Sequence, residues 1–239
     1  LNERNYIYLA DRGRIFGDVR LFDDQGTGFH FYTNREDTIA DQEMTVELSR
    51  IDLKQFKKVL PYLPDVEGWL GGSAHYVDSE GQMMLSADVS LDHFVYEKSP
   101  LGNWAMNGVY LPGDNNAHHV DGFITHNDRE IIYMNGIYQT DETGQENITG
   151  ELELQHFPLW VINPFVPDGI VNFRGDIDGT LAMEGNPLKP VLNGGLQLDS
   201  VLMVMPDMSI GFRFDNKQVK MQDSKMVFDK FNIYTRGET

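Results

Sequence analysis

The chain contains no cysteine in 239 residues. That excludes disulfides, thiolate metal sites and a cysteine nucleophile. Basic residues are scarce: 19 Lys and Arg stand against 37 Asp and Glu, for a net charge of −18. A broad nucleic-acid surface needs stripes of Lys and Arg to displace counterions from phosphates, so nucleic acid is not an expected partner. No apolar run reaches the roughly 18 residues that a membrane-spanning helix requires. The opening Leu1-Asn2-Glu3-Arg4-Asn5-Tyr6 lacks the basic region and apolar stretch of a signal peptide. Both termini read as cuts within a longer chain. Helical periodicity is nearly absent too.

What is present is alternation. Hydrophobic residues make up 41% and aromatics 11%, enough for a packed core. From Val171 one parity reads Val171, Phe173, Gly175, Ile177, Gly179, Leu181 and Met183, and the other reads Asn172, Arg174, Asp176, Asp178, Thr180, Ala182 and Glu184. Successive strand side chains point to opposite faces, so such a strand has one apolar and one wet face. The same pattern recurs in Leu85, Ala87, Val89 and Leu91, and in Met208, Ile210, Phe212 and Phe214. Clusters such as Asp23-Asp24-Gln25-Gly26, Asp78-Ser79-Glu80-Gly81 and Asp141-Glu142-Thr143-Gly144 supply turns between the runs. Many strands at short spacing with no helices between them predict an all-β, antiparallel sheet.

Two stretches depart from this pattern. Leu53, Phe56, Val59 or Leu60, and Leu63 have helical spacing, with Asp52 as a cap. The second, Phe157–Pro167, carries three prolines and is limited to a turn or two. Short helices are therefore expected near 53–60 and 157–165. Both stretches sit in matching contexts: Val46–Phe56 corresponds to Ile148–Phe157, and each copy continues into a Gly-rich strand (from Gly68 and from Gly169) and on to Leu85–Leu91 and Leu192–Leu198. The offset between the copies drifts from about 101 to about 107 residues, as loop insertions within an internal repeat would produce. The expected organisation is two tandem β units, 1–100 and 101–239, forming one continuous elongated body.

The second copy carries the most distinctive motifs. Leu154-Gln155-His156-Phe157-Pro158-Leu159 leads to Asn163-Pro164-Phe165, then to Gly175-Asp176-Ile177-Asp178-Gly179-Thr180-Leu181. It closes with Gly185-Asn186-Pro187-Leu188-Lys189-Pro190 and Leu196-Gln197-Leu198-Asp199. This stretch resembles the TamB-like family, the inner-membrane component of the translocation and assembly module of Gram-negative envelopes. The first copy departs from it, with Asp78-Ser79-Glu80-Gly81-Gln82-Met83 in place of the proline turn. The resemblance implies a long sheet curled into a trough, the β-taco, in a periplasmic protein whose parent is anchored in the inner membrane. It implies phospholipid or a nascent outer-membrane protein as client, and an outer-membrane barrel as partner through a C-terminal part absent here. It implies no catalysis and no cofactor. The expected lining of the apolar groove is Leu85, Val89 and Leu91 from the first copy. From the second it is Val171, Phe173, Ile177, Leu181, Met183, Leu192, Leu196, Leu198, Ile210, Phe212 and Phe214. Burial of each acyl CH₂ there contributes about 0.8 kcal/mol.

Other readings compete. A cell-surface adhesion or glycan-binding module would use exposed aromatics on a wet face, with Tyr6, Tyr8, Trp104 and Tyr110 as candidates. A carboxylate-dependent glycoside hydrolase would need two facing acids, and the sequence selects no pair. His75, His93, His118, His119 and His126 lack metal-site spacing and read as surface or turn residues. Asp176 and Asp178 share one strand face but lack the other ligands of a calcium loop. Gly68–Gly72 has no following helix or Lys and is not a phosphate loop.

Overall fold

The computed structural model describes residues 5–34, 41–59, 62, 64–113, 115–141, 143–167 and 169–236. Of the expected features, Leu60, Pro61 and Leu63 of the first helical stretch, Glu142 of one turn and the terminal residues 1–4 lie outside them. The chain is all-β, 71% strand and 7% helical. It forms two compact units, Leu1–Arg129 and Glu130–Thr239. The division expected at 100/101 falls inside a strand, Ser99–Pro112.

Unit 1 is an antiparallel meander. Its strands are β1 (Tyr6–Leu9), β2 (Ile15–Phe22), β3 (Gly28–Thr33), β4 (Gln42–Asp52), β5 (Val66–Ser79), β6 (Gln82–Tyr96), β7 (Ser99–Pro112) and β8 (Ala117–His126), each paired with the next. A short α-helix, α1 (Lys54–Val59), joins β4 to β5. Asp52 caps it as expected: its Oδ1 accepts the Lys54 N–H at 3.0 Å.

Unit 2 begins with β9 (Arg129–Thr140), β10 (Glu146–Pro158), β11 (Asn172–Gly185) and β12 (Val191–Met205), again consecutive and antiparallel. The proline-rich stretch is a 3₁₀ segment, Leu159–Phe165, between β10 and β11. Beyond β12 the sheet forks. Leu202–Met205 pairs with β13 (Ile210–Phe214), whose other edge carries β16 (Ile233–Arg236). Gly194–Gln197 pairs with β14 (Gln218–Gln222), which carries β15 (Lys225–Val227).

The internal repeat is visible in the backbone. β4–α1–β5–β6 corresponds to β10–3₁₀–β11–β12, with β-bulges at matching places on β4 and β10 and on β6 and β12. The left-handed residues Arg50, Gly68 and His93 of unit 1 have counterparts in His156, Gly175 and Ser200 of unit 2. The correspondence is therefore steady, 106 or 107 residues throughout, and the drift inferred from sequence disappears. Phe157, which follows the β10 bulge, stands with Ile51 rather than with Phe56. A bulge leaves one backbone group outside the ladder, and buried groups of that kind need partners. Side chains of adjoining residues supply them: His93 N–H donates to Asn103 Oδ1 at 2.8 Å, His156 N–H to Asp178 Oδ1 at 2.8 Å, and Ser200 N–H to Asn216 Oδ1 at 2.9 Å.

Glycines hold the ladder at a second matched position. Gly72 of β5 and Gly179 of β11 have φ of +137° and +146°, and a Cβ on either would run into a backbone carbonyl oxygen, that of Asp88 or of Gly195. Gly179→Ala is expected to destabilise unit 2 by about 1–3 kcal/mol in urea unfolding followed by circular dichroism. Gly136→Ala, at ordinary φ with its nearest contact at 3.4 Å, should change stability by less than about 1 kcal/mol.

Candidate functional site

Directly paired residues of antiparallel strands project to the same side, so the register defines both faces of each unit. In unit 1 one lateral row reads Leu21–Phe29–Leu48–Gly72–Val89–Met106–Ile124 across β2 to β8. The row beside it reads Val19–Phe31–Val46–Ala74–Ala87–Gly108–Gly122. In unit 2 the rows are Ile132–Leu154–Gly179–Leu196–Val219 and Met134–Leu152–Leu181–Gly194–Met221–Met226. The opposite faces are polar, as in Arg20–His30–Glu47–Ser73–Asp88–Asn107 of unit 1 and Tyr133–Glu153–Thr180–Gly195–Lys220 of unit 2.

The expected lining residues divide into two groups. Leu85, Val89 and Leu91 lie on the apolar face of unit 1, where Leu85 is 40% exposed and Met106, the partner of Val89, 42%. Glycine and alanine in the middle of the rows keep the floor shallow. In unit 2 Leu181, Leu196 and Leu198 are buried, and Leu198 joins Leu159, Val201 and Val219 in a closed core. Phe173, Ile177 and Phe214 pack against that core, so this part of the expected groove is packed interior. The reason is the fork: β14 and the 3₁₀ segment contribute Val219 and Leu159 to the same cluster. Met183, Leu192 and Phe212 are half-buried, Ile210 is exposed, and Val171 is half-buried just before β11.

The four candidate platform aromatics do not share a face. Trp104 and Tyr110 lie in the apolar rows of β7, with Trp104 Nε1 donating to Leu101 O at 2.9 Å. Tyr6 and Tyr8 lie on the polar side, opposite Asp18 and Phe16, with their rings stacked 6.0 Å apart. Beside them is a charged cluster that sequence patterning did not single out. His30 Nε2 is 3.0 Å from Asp18 Oδ1 and its Nδ1 is 3.5 Å from Glu47 Oε2. Arg20 Nε is 3.2 Å from Asp18 Oδ1, and the Tyr32 hydroxyl donates to Glu47 Oε1 at 3.0 Å. Burial raises the Asp18 pKa, but hydrogen bonds from Arg20 and His30, with the charges behind them, outweigh it and hold the carboxyl below its ordinary value. The cluster spans β2, β3 and β4 and ties three strands together on their wet face. Of the histidines read as surface or turn residues, His126 is instead buried, its Nε2 2.8 Å from Leu101 O and its ring 4.6 Å from that of Trp104.

A cavity of about 690 Å³ opens at one end of the apolar rows of unit 1. Ile15, Met44 and Tyr76 line it, together with Arg14, Gln42, Asp78, Asp11 and Asp41. Arg14 Nε and Asp78 Oδ1 are sealed from solvent without a hydrogen-bond partner. Leaving a buried polar group unpaired costs about 1–3 kcal/mol, more when it is charged. Spacing alone did not reveal this corner, because Arg14 and Asp78 are far apart in sequence. Among the described residues no group of three or more His, Asp or Glu is placed to hold a metal ion. Asp178 pairs instead with His156 Nδ1 at 3.0 Å.

Compared with known proteins, the chain matches no protein-family model, no curated protein and no solved structure.

The lowered Asp18 pKa sets a sign. Its stabilising contribution is present above the unfolded carboxyl pKa and is lost as pH falls through the lower folded value. An NMR titration is expected to place the Asp18 midpoint below the ordinary aspartate value, and Arg20→Gln should move it upward. Because Asp18 is 38% exposed, the accompanying change in stability should be small.

Proposed function

We propose that this chain shields the acyl chains of phospholipids on its apolar faces, without catalysis, as part of a periplasmic bridge of the TamB-like kind. The observation that carries the reading is the apolar face of unit 1. Its rows run unbroken from β2 to β8, yet Val46, Leu85, Met106 and Val120 on it are each about two-fifths exposed. An exposed contiguous apolar surface of this kind marks an interaction site. Acyl chains suit it because they need no polar contacts, and the rows supply almost none. The motifs of residues 154–199 add to this reading, as does the acidic charge, which keeps a long sheet soluble. A second reading is assistance to a nascent outer-membrane protein through strand pairing. The edge strand β1 favours it, since Ile7 is 60% and Leu9 75% exposed and β1 pairs only with β2 among the described residues.

The test is phospholipid binding by the purified chain, read by displacement of a fluorescent lipid. Val89→Glu and Met106→Glu place charges on paired positions of the apolar face. Each is expected to weaken lipid binding by about tenfold or more, since a carboxylate there loses its hydration when an acyl chain covers it. Circular dichroism should be unchanged. Unaltered lipid binding, or outright unfolding of both variants, would overturn the acyl-shielding reading.

A further inference from the structure

We infer that the cavity at the end of the apolar face of unit 1 is a headgroup site for a zwitterionic phospholipid bearing a primary ammonium group. The inference rests on the acyl-shielding reading and adds selectivity to it.

The local architecture begins with the end of a strand. β3 stops at Thr33, and β2 and β4 would otherwise part at that level. The Gln42 side chain spans the gap: its Nε2 donates to Ile15 O at 2.9 Å and its Oε1 accepts the Ile15 N–H at 2.7 Å. Gln42 is directly paired with Asp78, and the next pair along the same face is Met44 with Tyr76. The apolar row of Met44, Tyr76, Leu85 and Tyr110 thus lies beside a polar corner on the same face.

The corner has both signs of charge. The Arg14 guanidinium lies 5.3 Å from the Phe16 ring centroid, with no carboxylate within ion-pair distance among the described residues. It matches a phosphodiester, which guanidinium recognises with parallel hydrogen bonds. Asp78, Asp11 and Asp41 line the same cavity. Asp41 Oδ2 already accepts the Glu80 N–H at 2.9 Å, while Asp78 Oδ1 has no donor. Among the described residues three carboxylates stand against one guanidinium, which disfavours a purely anionic headgroup and favours one that also carries a cation. A primary ammonium offers three N–H donors; a quaternary ammonium offers none and leaves the Asp78 oxygen unpaired. The apolar wall of Ile15, Met44 and Tyr76 then leads the acyl chains onto the rows. A small rotation of Arg14 or Asp78 toward the ligand would give each orphaned atom its partner.

The experiment is competition for a fluorescent phospholipid, using phosphatidylethanolamine, phosphatidylcholine and phosphatidylglycerol of identical acyl composition, with the whole chain. Phosphatidylethanolamine is expected to compete about tenfold better than either of the others. Asp78→Asn should abolish that preference while leaving binding of phosphatidylcholine within about twofold. Arg14→Gln should weaken all three lipids alike, since all carry the phosphodiester, and Arg14→Lys should restore part of that loss. Equal competition by the three lipids would overturn the headgroup site and leave acyl shielding standing. Absence of binding by any lipid would overturn both. Equal potency of soluble glycerophosphoethanolamine would show a small-molecule site instead and overturn the link to the acyl face. If Asp78→Asn fails to fold, the wild-type preference and Arg14→Lys decide the question.

Discussion

The ladder register is the constraint on which the rest depends. With side chains alternating at period two, a slip of one residue anywhere would exchange the apolar and polar faces of that strand. The long strands of this chain meet that condition through extensive antiparallel pairing, thirteen residue pairs between β5 and β6 alone. Bulges ordinarily disturb such a register. Here they lie on the strands that flank the Gly-rich one: on β4 at Arg50, opposite Gly71, and on β6 at His93, opposite Gly68; and again on β10 at His156, opposite Asp178, and on β12 at Ser200, opposite Gly175. The central strand carries no extra residue in either unit, and the pairs on both sides of each bulge keep like faces together. The local cost is a left-handed backbone, met by glycine at the central position and by side-chain acceptors for the freed N–H groups at His93, His156 and Ser200.

The same pattern leads to different packing in the two units. In unit 2 the fork after β12 brings β14 into register with Leu196, and the 3₁₀ segment adds Leu159, so side chains from several directions close over Leu198 and Val201. In unit 1 the equivalent positions are followed by further strands of one meander, and α1 makes few contacts with β5. Its apolar rows remain partly in water. Burial is favourable at about 25 cal/mol per Å² of apolar surface, so such a face gains from an apolar partner. This difference gives unit 1 the better claim to a ligand and unit 2 the character of a packed scaffold.

The polar faces have their own order. Asp18, Arg20, His30, Tyr32 and Glu47 link three strands laterally, as ion pairs and hydrogen bonds among partly exposed groups. Such pairs contribute little individually at a surface. Their arrangement keeps the acids of this strongly negative chain on the wet side and in turns. Anionic surfaces are then repelled from outside, while the rows of the apolar side carry little charge beyond Asp78 at their end.

Much of the fold was legible in the residues. Alternation in Leu85–Leu91 and Val171–Glu184 reports strands with two unlike faces because the pleat has that period; Asp52 reports a helix start because its carboxylate suits a free N–H. The two-copy organisation was legible for the same reason, although its alignment was not: the bulges at Arg50 and His156 shift the frame, and residues such as Arg and His carry no bulge signal of their own. The hairpin at Glu97-Lys98 was equally silent, since two left-handed residues there lack the usual Asn or Gly. Sequence by itself determined the strand class, the two faces and the repeat, all local consequences of side-chain period and turn chemistry. Only the tertiary structure decided which apolar residues are core and which are open face, and that Arg14 and Asp78 share a cavity. Those outcomes depend on which strands become neighbours across the fork and the meander, and no spacing along the chain encodes them.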